Sequence, residues 1–265
     1  MEAPVAISIA GSDNSAGAGI QADLKTFTYF KVFGQTVVTC VVAEVPGRVT
    51  AIYPIDPKIV QEQLTLSLRY FPVRAMKTGM LYSAEIIGTV CDVIESLPSK
   101  LRPSLVVDPV MVASSGDVLL QPEAVALYRN RLIPLATVVT PNLHEASTLA
   151  NRPVENIEGL EQVAQSLAEQ YRVAFLVKGG HLGGTEATDV LVFRDQVRIY
   201  SAPFQVGLST HGTGCTLSAA VTANLALGKS MEESIQAGKE FISRAIAESL
   251  AWKGAAGEIT ALKHW

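Results

Sequence analysis

Short β-branched runs alternate with longer amphipathic stretches from one end of the chain to the other, and this alternation constrains the fold more than any single motif. It is the pattern of βαβ units, whose crossovers leave the strands parallel and require helices on both faces of the sheet. Strands are predicted near Val5–Ala10, Thr36–Val42, Ala75–Thr78, Leu105–Asp108, Thr137–Thr140 and Ala174–Lys178. Helices are predicted over Gly19–Phe30, Pro57–Tyr70, Ser83–Ser96, Pro122–Asn130, Asn156–Gln170, Thr213–Leu227 and Met231–Trp252. Two later runs, Asp189–Phe193 and Val197–Ser201, are joined by Arg194, Asp195 and Gln196 and predict an antiparallel hairpin at the later edge of the sheet. No linker, repeat or low-complexity tract interrupts residues 1–265, so one α/β domain is expected.

Composition supports such a core, with 48% hydrophobic residues against 17% charged. A net charge of -4 supplies no broad basic surface for nucleic acid or an anionic membrane, so any phosphate binding has to be local and the ligand small. Cys40, Cys91 and Cys215 make neither a CxxC pair nor a disulfide framework, and the 4 histidines complete no zinc pattern. The apolar stretch Val5–Ala10 is too short for a signal segment and lacks a basic flank. No run approaches the ~20 apolar residues of a bilayer span. A cytoplasmic protein is expected.

In open α/β sheets ligands bind beyond the carboxyl ends of the strands, and the informative residues do follow predicted strands. Thr210-His211-Gly212-Thr213-Gly214-Cys215-Thr216 opens a helix. Two glycines let the backbone approach a ligand, and the first amides of the helix form an anion hole for a transferred phosphoryl group. A glycine-rich cap selected only for packing is the alternative. Cys215 lies in the first helical turn, where the dipole is expected to lower a thiol's pKa and make a base or nucleophile available; Cys40 and Cys91 read as small buried hydrophobes.

Gly11-Ser12-Asp13-Asn14-Ser15-Ala16-Gly17-Ala18-Gly19 bridges the first strand and helix but fits neither the dinucleotide nor the Walker spacing. A small-residue turn holding substrate near Asp23 remains, beside a reading in which Asp23 only charges the helix start. Asp108, followed by Pro109 and then by Ser114-Ser115-Gly116-Asp117, ends an apolar strand and suits magnesium. Thr140-Pro141-Asn142-Leu143-His144-Glu145 repeats the arrangement, although Glu145 alone could be compensating a helix dipole. Lys178-Gly179-Gly180-His181 projects an ammonium group beside a glycine loop, as a point-charge partner for ATP phosphates. His144 and His181 read as loop or capping residues.

The order and content of these motifs resemble the hydroxymethylpyrimidine/phosphomethylpyrimidine kinases of thiamin synthesis, a branch of the ribokinase superfamily. The carriers are Ile9–Asp13 with Gly17–Thr26, Lys77-Thr78-Gly79-Met80-Leu81, Val107-Asp108-Pro109-Val110-Met111, Ser115-Gly116-Asp117, Thr140-Pro141-Asn142 with Glu145, Val177–His181 and His211–Thr216. The resemblance implies a ribokinase-like three-layer α/β/α fold and ATP-dependent phosphorylation of 4-amino-5-hydroxymethyl-2-methylpyrimidine and then of its monophosphate. It further implies a homodimer and no fused thiamin-phosphate synthase. Carried over residue by residue, Gly11, Asp23, Glu44, Met80 and Val107 would line the heterocycle pocket. Asn142, Lys178 and Thr210 would bind ATP, Asp108 and Glu145 would hold Mg2+, and Gly212, Thr213, Gly214 and Cys215 would form the catalytic turn with Cys215 as base.

One departure concerns substrate choice. The family usually has Ala-Gln-Asn-Thr where this chain reads Ala43-Glu44-Val45-Pro46, so a carboxylate replaces an amide at the ring edge. An ionised carboxylate only accepts, so Glu44 suits an aminopyrimidine whose ring nitrogen is protonated, or one read by a protonated Glu44. Pyridoxal or pyridoxine kinase and a non-catalytic pyrimidine-binding protein are the competing readings.

Overall fold

The computed structural model describes residues 3–45, 47–111, 122–154, 156–180, 182, 185–194, 196–205, 211–254 and 257–265. In chain order they form β1 (Val5–Asp13), α1 (Gly19–Tyr29), β2 (Phe33–Val45), β3 (Arg48–Pro54), α2 (Pro57–Tyr70), β4 (Val73–Thr78), α3 (Ala84–Ser96), β5 (Ser104–Val107) and α4 (Pro122–Leu127). There follow β6 (Val138–Val139), α5 (Leu143–Ala150), α6 (Ile157–Tyr171), β7 (Ala174–Lys178), β8 (Glu186–Phe193), β9 (Gln196–Pro203), α7 (Thr213–Ala226), α8 (Met231–Ala247), β10 (Leu250–Gly254) and β11 (Gly257–Ala261).

Nine strands pair in the order β3-β2-β1-β4-β5-β6-β7-β8-β9. β2, β1, β4, β5, β6 and β7 run parallel, while β3 pairs with β2, and β8 with β7 and β9, in antiparallel register. The chain moves from β1 to β2 on one side and then returns to β4 on the other, so the order reverses at β1 and a crevice opens at the carboxyl ends there.

The period of two along each strand sorts the core into its layers. Val107, Val139 and Met76 pack with α2 to α6, whereas Val106, Val138 and Leu176 pack with α7 and α8. Ala75 sits with Ala219 and Ala223 of α7, and Lys77, two residues on, points the same way. Helix α7 is buried on nearly every side because α1 and α8 cover it above the sheet. Its alanines, and Gly238 in α8, allow close approach: a Cβ on Gly238 would meet Leu217 at 3.1 Å and Val221 at 3.2 Å. Burying Leu217 and Val221 stabilises this contact by roughly 1.5–3 kcal/mol per side chain.

Three elements differ from expectation. β2 runs on to Val45 and folds back as β3, with Gly47 at φ +82°, so Glu44 lies in a strand rather than in a loop. Helix α8 stops at Ala247 instead of continuing to Trp252. Its last turn tightens through Glu248 N to Arg244 O and Ser249 N to Ile246 O, and β10–β11 then form a hairpin. Helix α5, foreseen only as a helix start, runs to Ala150, where Asn151 caps it at φ 53°.

Candidate active site

A cavity of about 470 Å³ lies over the carboxyl ends of β1, β2 and β4 to β7, closed on one side by the start of α7. Gly11, Asp13, Glu44, Met80, Asp108, Asn142, Glu145, Lys178 and Gly212 to Cys215 all line it. That volume suits a small ligand with a second group beside it.

The helix start and the strand ends converge closely. Gly212 caps α7 at φ 79°, and the first intrahelical bond, Thr216 N to Gly212 O at 2.9 Å, leaves the amides of Gly214 and Cys215 without a partner inside the helix. A Cβ on Gly214 would stand 3.2 Å from Lys178 Nζ and 3.7 Å from Asp108 Oδ2. Lys178 Nζ donates to Asp108 Oδ1 at 3.2 Å, and Ser218 Oγ of α7 donates to Asp108 Oδ2 at 3.1 Å. Burial alone would lower the lysine's pKa, but Asp108 and Glu145 raise it, so the ammonium stays charged. Amides with a helix dipole behind them, a lysine and a carboxylate therefore face one volume, an arrangement that gathers the charge of a phosphoryl group.

Asn142 and Glu145 build the next wall. The Asn142 side chain accepts from Glu145 N at 2.9 Å and Glu145 Oε2 accepts from Asn142 N at 2.8 Å, a reciprocal capping box at the start of α5. Glu145 Oε1 also accepts from Met111 N at 3.3 Å. Burial, with Asp108 nearby, pushes the Glu145 carboxyl up despite Lys178. Both residues thus shape the helix entry and face the cavity.

Two of the expected pocket residues lie beneath it. Asp23 is fully buried on α1, accepting from Lys77 Nζ at 2.7 Å and from Ser8 Oγ, and it does not line the cavity. Lys77 also donates to the carbonyl of Cys215 at 3.4 Å, and although burial opposes its charge, Asp23 holds its pKa up. Val107 turns to the opposite face of the sheet, into the α2 to α6 core, because Asp108, its neighbour one pleat on, takes the cavity side. The acidic thiol expected at Cys215 is also corrected: burial pushes it up to about 11, against the pull of Lys77. Only about one part in ten thousand is then ionised at pH 7.

A cluster that sequence reasoning did not single out stands at the β1–β2 end of the cavity. One carboxylate oxygen each from Asp13 and Glu44 and a ring nitrogen of His211 lie within 4.8 Å of one another. Asp13 accepts from Ser15 N at 2.6 Å, Gly17 N at 3.1 Å and Ala18 N at 2.8 Å, and His211 Nε2 is 3.5 Å from its Oδ2. Burial would raise the Asp13 pKa, but the bonds from His211, Ala18 and Ser15 hold it well below the carboxylate range. The hydrogen bond to Asp13 raises His211 against its burial, with Glu44 adding to the rise. Both residues sat inside quoted motifs, and the signal that could have paired them was that their loops must meet if both reach one ligand. Lys239, bonded to Asp189 Oδ2 at 2.7 Å at the far end of the cavity, was likewise missed. Thr210, Ser115-Gly116-Asp117, His181 and Pro46 lie outside the described residues.

A family model described as phosphomethylpyrimidine kinase matches residues 13–260. A hydroxymethylpyrimidine/phosphomethylpyrimidine kinase of Rhizobium meliloti is 42% identical over 245 residues, covering 92% of this chain and 90% of that protein. A pyridoxine kinase of Bacillus subtilis is 42% identical over 250 residues, with 92% and 90% covered. The solved ADP complex of Bacillus subtilis pyridoxal kinase superposes with a TM-score of 0.89 at 38% identity, covering 99% of this chain and 98% of that one.

Proposed function

The chain belongs to the phosphomethylpyrimidine kinase family, and from that membership we propose that it phosphorylates 4-amino-5-hydroxymethyl-2-methylpyrimidine and then its monophosphate, using ATP, in thiamin biosynthesis. It is a phosphotransferase, which removes the non-catalytic alternative. In the first transfer the hydroxymethyl oxygen bonds to the γ-phosphorus, the bond from that phosphorus to the bridging oxygen breaks, and ADP leaves while the alcohol proton is released. In the second, an oxygen of the monophosphate attacks in the same way and no proton has to move, since that oxygen is already ionised.

The observation that carries this reading is the meeting of Gly214 with Lys178 and Asp108, 3.2 Å and 3.7 Å from where a side chain on Gly214 would begin. Fixed donors at that point stabilise the charge spreading over the transferred group. The ADP-bound relative supports ATP as the donor, with Asn142 and Lys178 on the nucleotide side. Mg2+ fits the chemistry of the donors: Asp108 and Glu145 both face the cavity and offer only hard oxygen atoms. When bound, the ion would neutralise phosphate charge, and these two carboxylates would hold it. Gly11, Glu44 and Met80 line the end left for the heterocycle. Cys215, a neutral thiol as it stands, takes the alcohol proton only in the ionised minority, so its larger part is to present its backbone amide.

Equal identity to a pyridoxine kinase favours pyridoxal or pyridoxine as a second acceptor. A homodimer in the cytoplasm completes the proposal, supported by the exposed Val41, Val45 and Tyr53 on the β2–β3 ribbon. ADP release with hydroxymethylpyrimidine, its monophosphate and pyridoxal, measured side by side, tests the function. Turnover of pyridoxal alone would reverse the substrate assignment, and no turnover with any of them would refute it.

A further inference from the structure

The acceptor end of the cavity is lined by two carboxylates, yet the second acceptor in the proposed sequence is itself an anion. A phosphate monoester carries about -1.5 to -2 near neutral pH, whereas the alcohol carries no phosphate charge. Asp13 on β1 would repel it, and so would Glu44 on β2 wherever it is ionised, although burial and the neighbouring Asp13 push the Glu44 carboxyl up. His211 lies beside both, within 4.8 Å of a carboxylate oxygen of each, its Nε2 3.5 Å from Asp13 Oδ2 and its side chain 14% exposed to the cavity. The ring is wedged in place, because a Cβ on Gly17 would fall 2.7 Å from His211 Cδ2. Immediately after it come Gly212 and the amides that face the transferred group.

We propose that His211 sets the charge of the acceptor end, its imidazolium offsetting Asp13 and Glu44 so that one cavity accepts both an alcohol and a phosphate monoester. This rests on the two-acceptor reading above. Among the described residues, Asp13 and Glu44 face His211; Arg48 of β3 lines the same end and Lys25 of α1 bonds the Ala16 carbonyl in the adjoining loop. Asp13 accepts from three loop amides, which favours its ionised form, and the carboxylate in turn keeps the imidazolium charged. As pH rises through the raised His211 pKa the offset disappears, while Asp13 remains an anion.

The test is kcat/KM for hydroxymethylpyrimidine and for its monophosphate from pH 7 to pH 9.5, in wild type, His211→Gln and His211→Lys, with thermal unfolding of each. His211→Gln should lower both, and the monophosphate by at least about tenfold more than the alcohol. His211→Lys should restore the ratio and hold it at the alkaline end, where wild-type turnover of the monophosphate declines. Equal losses for the two acceptors in His211→Gln at an unchanged Tm would overturn the inference. So would a monophosphate pH profile identical in wild type and His211→Lys, which still decides the matter should the Gln variant fold poorly. If wild type turns over neither acceptor, it is the proposed function that fails; if it turns over both and the ratio is unmoved, only the role of His211 does.

Discussion

Gly212 and Gly17 meet backbone to backbone: a Cβ added to Gly212 would lie 1.8 Å from the carbonyl oxygen of Gly17. The β1–α1 loop and the cap of α7 are therefore interlocked, and two glycines 195 positions apart set how closely these two walls of the cavity approach.

Gly212→Ala should separate the two loops, since the position also holds φ 79°. A displacement of about 1 Å at the reacting groups costs on the order of 100-fold in rate. Steady-state kinetics should show a fall of that size in kcat, with a Tm only a few degrees lower.

Lys178→Met removes the cation beside Gly214 and leaves Asp108 without its partner at 3.2 Å. Loss of one preorganised charge facing the transferred group is worth about 100- to 1,000-fold in kcat. Heterocycle binding, measured by calorimetry without nucleotide, should be nearly unchanged; a matching loss there would show that Lys178 holds the acceptor instead.

Lys77 and Asp23 form a fully buried pair at 2.7 Å. Lys77→Met strands the carboxylate and should destabilise the protein by about 3–5 kcal/mol in urea unfolding, whereas Lys77→Met with Asp23→Leu should recover most of it. The double variant should still be slow, because the tie from Lys77 to the Cys215 carbonyl is gone.

His264 is buried, with Nδ1 3.1 Å from the Leu262 carbonyl and Nε2 3.1 Å from Thr216 Oγ1. A carbonyl only accepts, so Nδ1 carries the proton and Nε2 accepts from Thr216: the ring is neutral. Burial depresses its pKa from 6.5 to about 4. The unfolded chain then binds a proton that the native one refuses, so stability is full above pH 6.5 and is lost as pH falls towards 4, by up to about 3 kcal/mol. Unfolding of wild type and His264→Gln should differ in slope only inside that window.

With the Cys215 thiol at about 11, turnover of the alcohol should rise with pH above neutrality if the thiolate is the base. Cys215→Ala should remove that rise and reduce the first transfer more than the second. Equal reductions would assign Cys215 to geometry.

Much of this was legible in one dimension. Alternating runs fix a mainly parallel sheet because helix and strand periods are local properties, and strand-end residues such as Asp108 and Lys178 could be expected in the cavity because parallel strands all end on one side. The Asn142 cap was not read from the sequence, which put Pro141 at the start of that helix; the reciprocal bonds to Glu145 place the start at Leu143. The misplaced Val107 shows the limit: which neighbour of a strand-end pair faces the ligand depends on the pleat, and one residue of register reverses it.

What the sequence determined by itself was the class of fold, the end of the sheet on which the cavity opens and the glycine turn that begins α7 there, since each follows from short-range chemistry. Only the tertiary structure decided that Asp23 serves Lys77 beneath the floor, that burial pushes the Cys215 thiol up, and that His211 sits beside two carboxylates. Those outcomes depend on burial and on charges brought together from distant segments, and neither quantity exists until the chain has packed.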